Sequence, residues 1–145
     1  MSCELNSDAT FFIASTPLAV RYVLRDILMH PAMTGLSETD RGSAELVLAE
    51  ALNNIVEHAY DTPHGQIELQ LRRSPGRLHC DFFDDGVAMP NGKLPAGLAQ
   101  QLGPDHDLPE GSFGWFLIRT LTADLNYARI DARNHLSFQL NIEQS

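Results

Sequence analysis

The feature that most constrains the fold is a proline-free run from Ser37-Glu38-Thr39-Asp40 to about Tyr60, with Gly42 near its start as its only glycine. Ser37 followed three residues later by Asp40 fits the capping box that opens helices, in which hydroxyl and carboxylate each satisfy a free amide of the first turn. Leu48, Leu52, Ile55 and Ala59 then recur at helical spacing and share one face. A helix with one apolar face draws most of its stability from whatever covers that face. The chain supplies a cover at once. Residues 66–73 alternate Ile67, Leu69 and Leu71 against Glu68, Gln70 and Arg72, the period of a half-buried strand. Ser74-Pro75-Gly76 reads as a tight turn, and residues 77–83 return as the partner strand.

The flanking segments extend this scheme. Thr10-Phe11-Phe12-Ile13-Ala14 is an apolar strand candidate, and Ser15-Thr16-Pro17 is a helix start with a hydroxyl cap and an early proline. Val20, Val23, Leu24 and Ile27 form that helix's apolar stripe, and Met29-His30-Pro31 ends it, because the residue before proline is pushed out of the helical region. Residues 113–121 look helical, and residues 125–130 and 135–142 look like a hairpin closing around Asp131-Ala132-Arg133-Asn134. Between them, residues 84–111 carry glycines, prolines and little periodicity, which marks a lid or binding loop at about 87–111. The order β-α-α-β-β-loop-α-β-β predicts one domain over residues 1–145. Its fold class is α/β (α+β), a two-layer sandwich whose mixed, mostly antiparallel sheet carries helices on one face.

Charge and cysteine usage narrow the function. The formal net charge is −9, which argues against direct nucleic-acid binding, whose affinity comes largely from cations on phosphates, and against adhesion to an anionic membrane. No apolar run approaches the roughly 20 residues that span a bilayer, and the N-terminus lacks the pattern of a signal peptide. Cys3 and Cys80 are too few for a disulfide scaffold. The expectation is a soluble cytoplasmic domain.

Three constellations could carry chemistry. Glu50 and Asn54 lie four apart on the second helix, so a carboxylate and a carboxamide stack on one side. Such a pair offers oxygen ligands to a hard cation, and the carboxylate can take a proton, although an ordinary surface pair would look the same. Asp84-Asp85-Gly86 ends a strand: the carboxylate can accept from an exocyclic amine and the glycine lets a ring approach, yet Asp-Gly is also a standard turn. Gly111-Ser112-Phe113-Gly114-Trp115 leads into an apolar helix, where free amides suit phosphate, or where glycine merely permits a sharp entry.

The order of these boxes resembles the ATP-binding (Bergerat-type) domain shared by gyrase, histidine kinases and the anti-sigma-factor serine/threonine kinases. Glu50 and Asn54 match its E-x-x-x-N helix motif, Asp84 and Gly86 its D-x-G box, and Gly111, Gly114 and Phe116-Leu117-Ile118 its glycine box. The run EALNNIVEHAY is most similar to the anti-sigma kinase branch, and the likeness covers about residues 10–142. The resemblance implies Glu50 as the general base, Asn54 as the ligand of Mg²⁺, Asp84 and Gly86 at the adenine of ATP or ADP, and residues Gly111, Ser112, Phe113, Gly114 and Trp115 on the phosphates. It implies a kinase that phosphorylates a serine of an anti-anti-sigma factor, sequesters a sigma factor and forms a homodimer. The chain departs from the family in having Ser112 and Phe113 where related kinases show a second glycine and an arginine. Lys93 in the lid and Arg21 on the first helix are candidates to supply that charge. The departure keeps open a second reading, a nucleotide-gated binding module with little or no kinase activity. A histidine kinase catalytic domain is disfavoured, because no helix pair with a phosphorylatable histidine precedes the boxes.

Overall fold

A computed structural model describes residues 8–58, 65–89, 92, 94 and 112–143, with the side chains of His58, Ser112 and Phe113 excepted. Ala59, Tyr60, Lys93, Gly111 and most of the expected lid lie outside the described residues. In chain order the elements are β1 (Asp8–Ala14), α1 (Pro17–Met29), a 3₁₀ turn (Pro31–Met33), α2 (Glu38–His58), β2 (Gln66–Ser74), β3 (Arg77–Asp84), α3 (Ser112–Leu121), β4 (Ala123–Ile130) and β5 (Arg133–Asn141).

Local chemistry sets the boundaries. The Thr16 hydroxyl accepts from the Ala19 amide at 3.1 Å and Pro17 opens α1. At its other end His30 is extended ahead of Pro31, and its Nδ1 accepts from the Ala32 amide at 3.0 Å, which starts the 3₁₀ turn. Ser37 Oγ accepts from the Asp40 amide at 3.1 Å, half of the expected capping box. The other half is replaced: the Asp40 carboxylate takes the amide of Glu143 at 2.7 Å and ties the start of α2 to the end of the chain's last strand.

The five strands form one sheet in the order β1-β2-β3-β5-β4. Every neighbouring pair is antiparallel, so the sheet is not mixed. α3 carries the chain from β3 to the edge strand β4, and β5 returns between them, antiparallel to both. Ile67, Leu69 and Leu71 of β2, Leu78, Cys80 and Phe82 of β3, and Leu136, Phe138 and Leu140 of β5 point inward and are buried. Against them pack Val20 and Ile27 of α1, Ala44, Val47, Leu48, Ala51, Leu52 and Ile55 of α2, and Trp115 and Ile118 of α3. The opposite face is polar and aromatic: Phe83 stacks on His135 with centroids 4.3 Å apart, and Arg133 lies over Phe83 while pairing with Glu68 at 2.8 Å.

The last hairpin is tighter than its sequence predicts. The expected four-residue turn Asp131-Ala132-Arg133-Asn134 closes with two residues, and Arg133 and Asn134 are already paired in β5, opposite Ile130 and Arg129. Asp131 and Ala132 both have positive φ, 55° and 63°. This is the handedness that matches the twist of two-residue hairpins. An alanine there costs roughly 1–2 kcal/mol, which the pairing of Arg133 with Glu68 and of Asn134 with Asp84 offsets. Ala132 is exposed, so Ala132→Gly loses no packing. The substitution is expected to raise stability by about 0.5–1 kcal/mol, after the glycine entropy cost is subtracted. Thermal unfolding followed by circular dichroism checks this; an unchanged or lower midpoint would refute the strain.

Candidate functional site

The inward alternation of β3 runs Leu78, Cys80, Phe82 and then reaches Asp84, which is buried at 5% exposure. That of β5 runs Leu140, Phe138, Leu136 and then reaches Asn134, at 4%. The two stand opposite each other in the β3–β5 register. The apolar ladder of the core therefore ends in a polar pair at one end of the sheet. Asn134 Nδ2 donates to Asp84 Oδ1 at 2.8 Å, and the Gly86 amide donates to the same oxygen at 2.9 Å. Burial pushes the Asp84 carboxyl above the usual carboxylate range, and the hydrogen bonds from Asn134 and Gly86 oppose that shift. Asp85 adds to the rise and Arg129 opposes it.

Asn134 is the residue that sequence reasoning missed, placed in a turn on composition. The signal that could have found it is the alternation itself: counting back from Leu140 by twos reaches Asn134 on the core face. It also brings partners from β4. Tyr127 Oη donates to Asn134 Oδ1 at 2.5 Å, and Arg129 donates to the same oxygen and to the Gly86 carbonyl, both at 2.9 Å.

The second cluster forms where α2 meets α3. Asn54 is buried at 2% exposure and Glu50, one turn earlier, is half-buried. Gly114, third residue of α3, lies so close that a Cβ there would stand 2.5 Å from Glu50 Oε2 and 3.3 Å from Asn54 Nδ2. A side chain there would push the flexible end of Glu50 aside. Asn54 Nδ2 and Trp115 Nε1 are buried donors with no hydrogen-bond partner among the described residues, and each such group costs about 1–3 kcal/mol. The expected glycine loop is, from Ser112 onward, the first turn of α3, so the amides of residues 112–114 belong to a helix N-terminus, where they have no partner within the helix. The Trp115 side chain is part of the core. Thus Glu50, Asn54 and Gly114 come together in one cluster, and Asp84, Gly86 and Asn134 in another. Arg21 is exposed on α1, beside Glu45 and Asn53 in a cavity of about 400 Å³.

Carboxylate and carboxamide oxygens suit a hard divalent ion. Among the described residues no three His, Cys, Asp or Glu side chains gather as a metal site, and no helix is long and apolar enough to cross a membrane.

The family model of the histidine kinase-like ATPase domain matches residues 13–140. The chain is 37% identical over 106 residues to the serine/threonine-protein kinase BtrW of Bordetella bronchiseptica, covering 68% of this chain and 72% of BtrW. To the serine-protein kinase RsbW of Bacillus cereus it is 32% identical over 94 residues, 63% of this chain and 59% of RsbW, so it spans less than two thirds of that relative. The solved RsbU and RsbW domains of Rv1364c from Mycobacterium tuberculosis superpose with a TM-score of 0.59 at 14% identity, over 96% of this chain and 33% of that one. The mycobacterial sensor histidine kinase MprB gives 0.53 at 12%, over 94% and 100%. At these identities the two structures speak to the fold alone.

The raised Asp84 carboxyl makes a stability prediction. Its protonated form is favoured by folding, so its contribution is complete below the unfolded value of about 3.9 and is lost as pH rises through the higher folded value. Asp84→Asn keeps an oxygen for both donors and stays neutral. Its thermal midpoint is expected to lie level with wild type near pH ~4 and progressively above it towards neutrality. A gap that shrinks with rising pH would contradict this.

Proposed function

We propose that this chain, which belongs to the histidine kinase-like ATPase domain family and within it to the anti-sigma factor kinases, is an ATP-dependent protein serine/threonine kinase acting by partner switching in the cytoplasm. It transfers phosphate to a serine of a small anti-anti-sigma partner and sequesters a sigma factor. The observation that carries this reading is the space kept by Gly114 beside Glu50 and Asn54. A helix has no structural need to place glycine in its first turn, yet here a side chain would collide with the carboxylate.

The residues present fit a magnesium nucleotide. Asn54 is buried with an unpartnered amide nitrogen, and its oxygen would hold Mg²⁺, which keeps most of its coordination for waters and phosphates. The ion supplies charge neutralisation at the phosphates. Glu50 accepts the proton of the serine hydroxyl as that oxygen bonds to the γ-phosphorus and ADP leaves. The free amides at the start of α3, residues 112–114, hold phosphate oxygens. Asp84 accepts from the adenine amine and Gly86 lies beside the ring. A homodimer is supported by the edge position of β1 and by exposed Phe12, Leu18 and Tyr22, at 63%, 59% and 56%. A binding module that holds nucleotide without transfer is the second reading, favoured by Phe113 where related kinases show arginine.

Phosphate transfer from labelled ATP to a co-encoded small acceptor tests the choice. Glu50→Ala is expected to lower transfer at least about a hundredfold with nucleotide binding retained. Gly114→Ala displaces the flexible end of Glu50 rather than the backbone, so a roughly ten- to hundredfold loss with an unchanged fold is expected. Tight nucleotide binding without transfer to any neighbouring acceptor would leave the module. Asn54→Ala is expected to lower the Mg²⁺-dependent part of nucleotide affinity, read by calorimetry with and without the ion.

A further inference from the structure

We infer that Asn134 is a positioning residue that holds Asp84 as a pure hydrogen-bond acceptor and so sets which purine the site admits, with Tyr127 and Arg129 fixing the orientation of its amide. The inference rests on the proposed contact of Asp84 with the base.

The network has a single consistent direction. Arg129 carries only donors, so the Asn134 atom it meets at 2.9 Å is the oxygen. The Tyr127 hydroxyl accepts from the Met89 amide at 3.0 Å and spends its own proton on the same oxygen. Asn134 Nδ2 therefore faces the other way, towards the Asp84 carboxylate at 2.8 Å and the Val87 carbonyl at 2.9 Å. Flipping the amide would set its NH₂ against the arginine and its oxygen against a carboxylate and a carbonyl, three mismatched contacts at once. With this orientation locked, Asp84 Oδ1 receives two donors, from Asn134 and Gly86. The lone pairs of Oδ2 are what the carboxylate has left for a ligand. A group that only accepts selects a 6-amino purine and rejects a 6-oxo purine, whose oxygen would meet the carboxylate lone pairs.

Two further features show that Asn134 does more than fill space. It occupies a position on the core face of β5 where its strand otherwise places Leu136, Phe138 and Leu140. It also joins three separate stretches: Asp84 of β3, Tyr127 and Arg129 of β4, and the backbone carbonyls of Gly86 and Val87. The charged groups acting on Asp84 are its neighbour Asp85 and Arg129 of β4. Asp85 in turn lies 3.9 Å from Arg133. Loss of the Asn134 donor leaves burial and Asp85 less opposed. Asp84 then holds its proton to higher pH, and a protonated carboxyl can donate to a 6-oxo group.

The test is calorimetry of ADP and IDP, each with Mg²⁺, against the full chain at a series of pH values from mildly acidic to mildly alkaline. Wild type is expected to prefer ADP, its preference weakening only at lower pH than in the Asn134→Leu variant. Asn134→Leu, similar in size and without a donor, is expected to lose ADP affinity roughly ten- to hundredfold at the acid end. The loss should recover as pH rises, while the ADP-to-IDP ratio falls towards one at low pH. Tyr127→Phe, which leaves Arg129 to hold the amide, should shift the same way by less, and it decides the matter if the leucine variant does not fold. A merely structural role would weaken ADP and IDP alike with no change in pH profile. That result, or wild-type behaviour in Asn134→Leu or, failing its folding, in Tyr127→Phe, overturns the inference. Failure of wild type to bind ADP at all overturns instead the proposed nucleotide site on which it rests.

Discussion

Because α2 lies between α1 and α3 and presses Val47, Leu48, Ala51, Leu52 and Ile55 against the sheet, the position of every other group near Glu50 and Asn54 follows from how that one face is buried. A fully buried leucine or isoleucine contributes about 1.5–3 kcal/mol, and α2 buries several. The unpartnered amide of Asn54 and indole of Trp115 cost about 1–3 kcal/mol each. Burial wins with a margin, so the helix can carry an unsatisfied polar group at a fixed place. The same packing brings α3 close enough that a Cβ at position 114 would displace the Glu50 carboxylate. Stability and the arrangement of the site are thus two consequences of one contact surface.

The far end of the sheet solves the opposite problem. At Asp84 and Asn134 the strands have run past the helices' apolar cover but still face inward, and a buried carboxylate without donors would be severely penalised. The fold meets this with neighbours rather than with a counter-ion. Asp84 takes two N–H donors on one oxygen, while Arg129, a cation that acts on it, spends its hydrogen bonds on Asn134 and the Gly86 carbonyl. Direct pairing of Arg129 with Asp84 would have fixed the charge more firmly. It would also have used up the acceptor.

Much of this was legible in the sequence, for reasons that can be named. Alternation in β2 and β3, the Pro75-Gly76 turn and the hydroxyl caps at Thr16 and Ser37 are short-range signals, and each sits where the sequence puts it. The pairing of Glu50 with Asn54 follows from helical spacing alone. What stayed hidden is what depends on contacts between distant residues. Asp131-Ala132-Arg133-Asn134 has turn composition, and nothing local says that its last two residues pair with β4 and reach Glu68 and Asp84 across the sheet. Asp40 likewise reads as a reciprocal cap, because its actual partner is 103 residues away. Gly114 reads as a loop residue until α2 is seen against it.

The two clusters also differ in what they ask of a ligand. At the start of α3 the free amides and the positive end of the helix dipole attract anions, but Glu50 places a carboxylate within a side chain's width of that end. A phosphate drawn to the amides would meet that negative charge, so the two anions can share the space only with a cation between them. Asn54 adds an oxygen donor without adding a third charge. A second carboxylate at position 54 would bind the ion more tightly when alone and repel the phosphates when not. At the other cluster the demand is for a neutral donor, since Asp84 is buried and its hydrogen bonds only partly oppose the cost of that burial. The ligand proposed above, with phosphates and a divalent ion at one end and an exocyclic amine at the other, would meet both demands. The chain's overall negative charge is no obstacle to such a ligand, because backbone amides and the ligand's own ion, rather than lysines and arginines, are what would meet its phosphates.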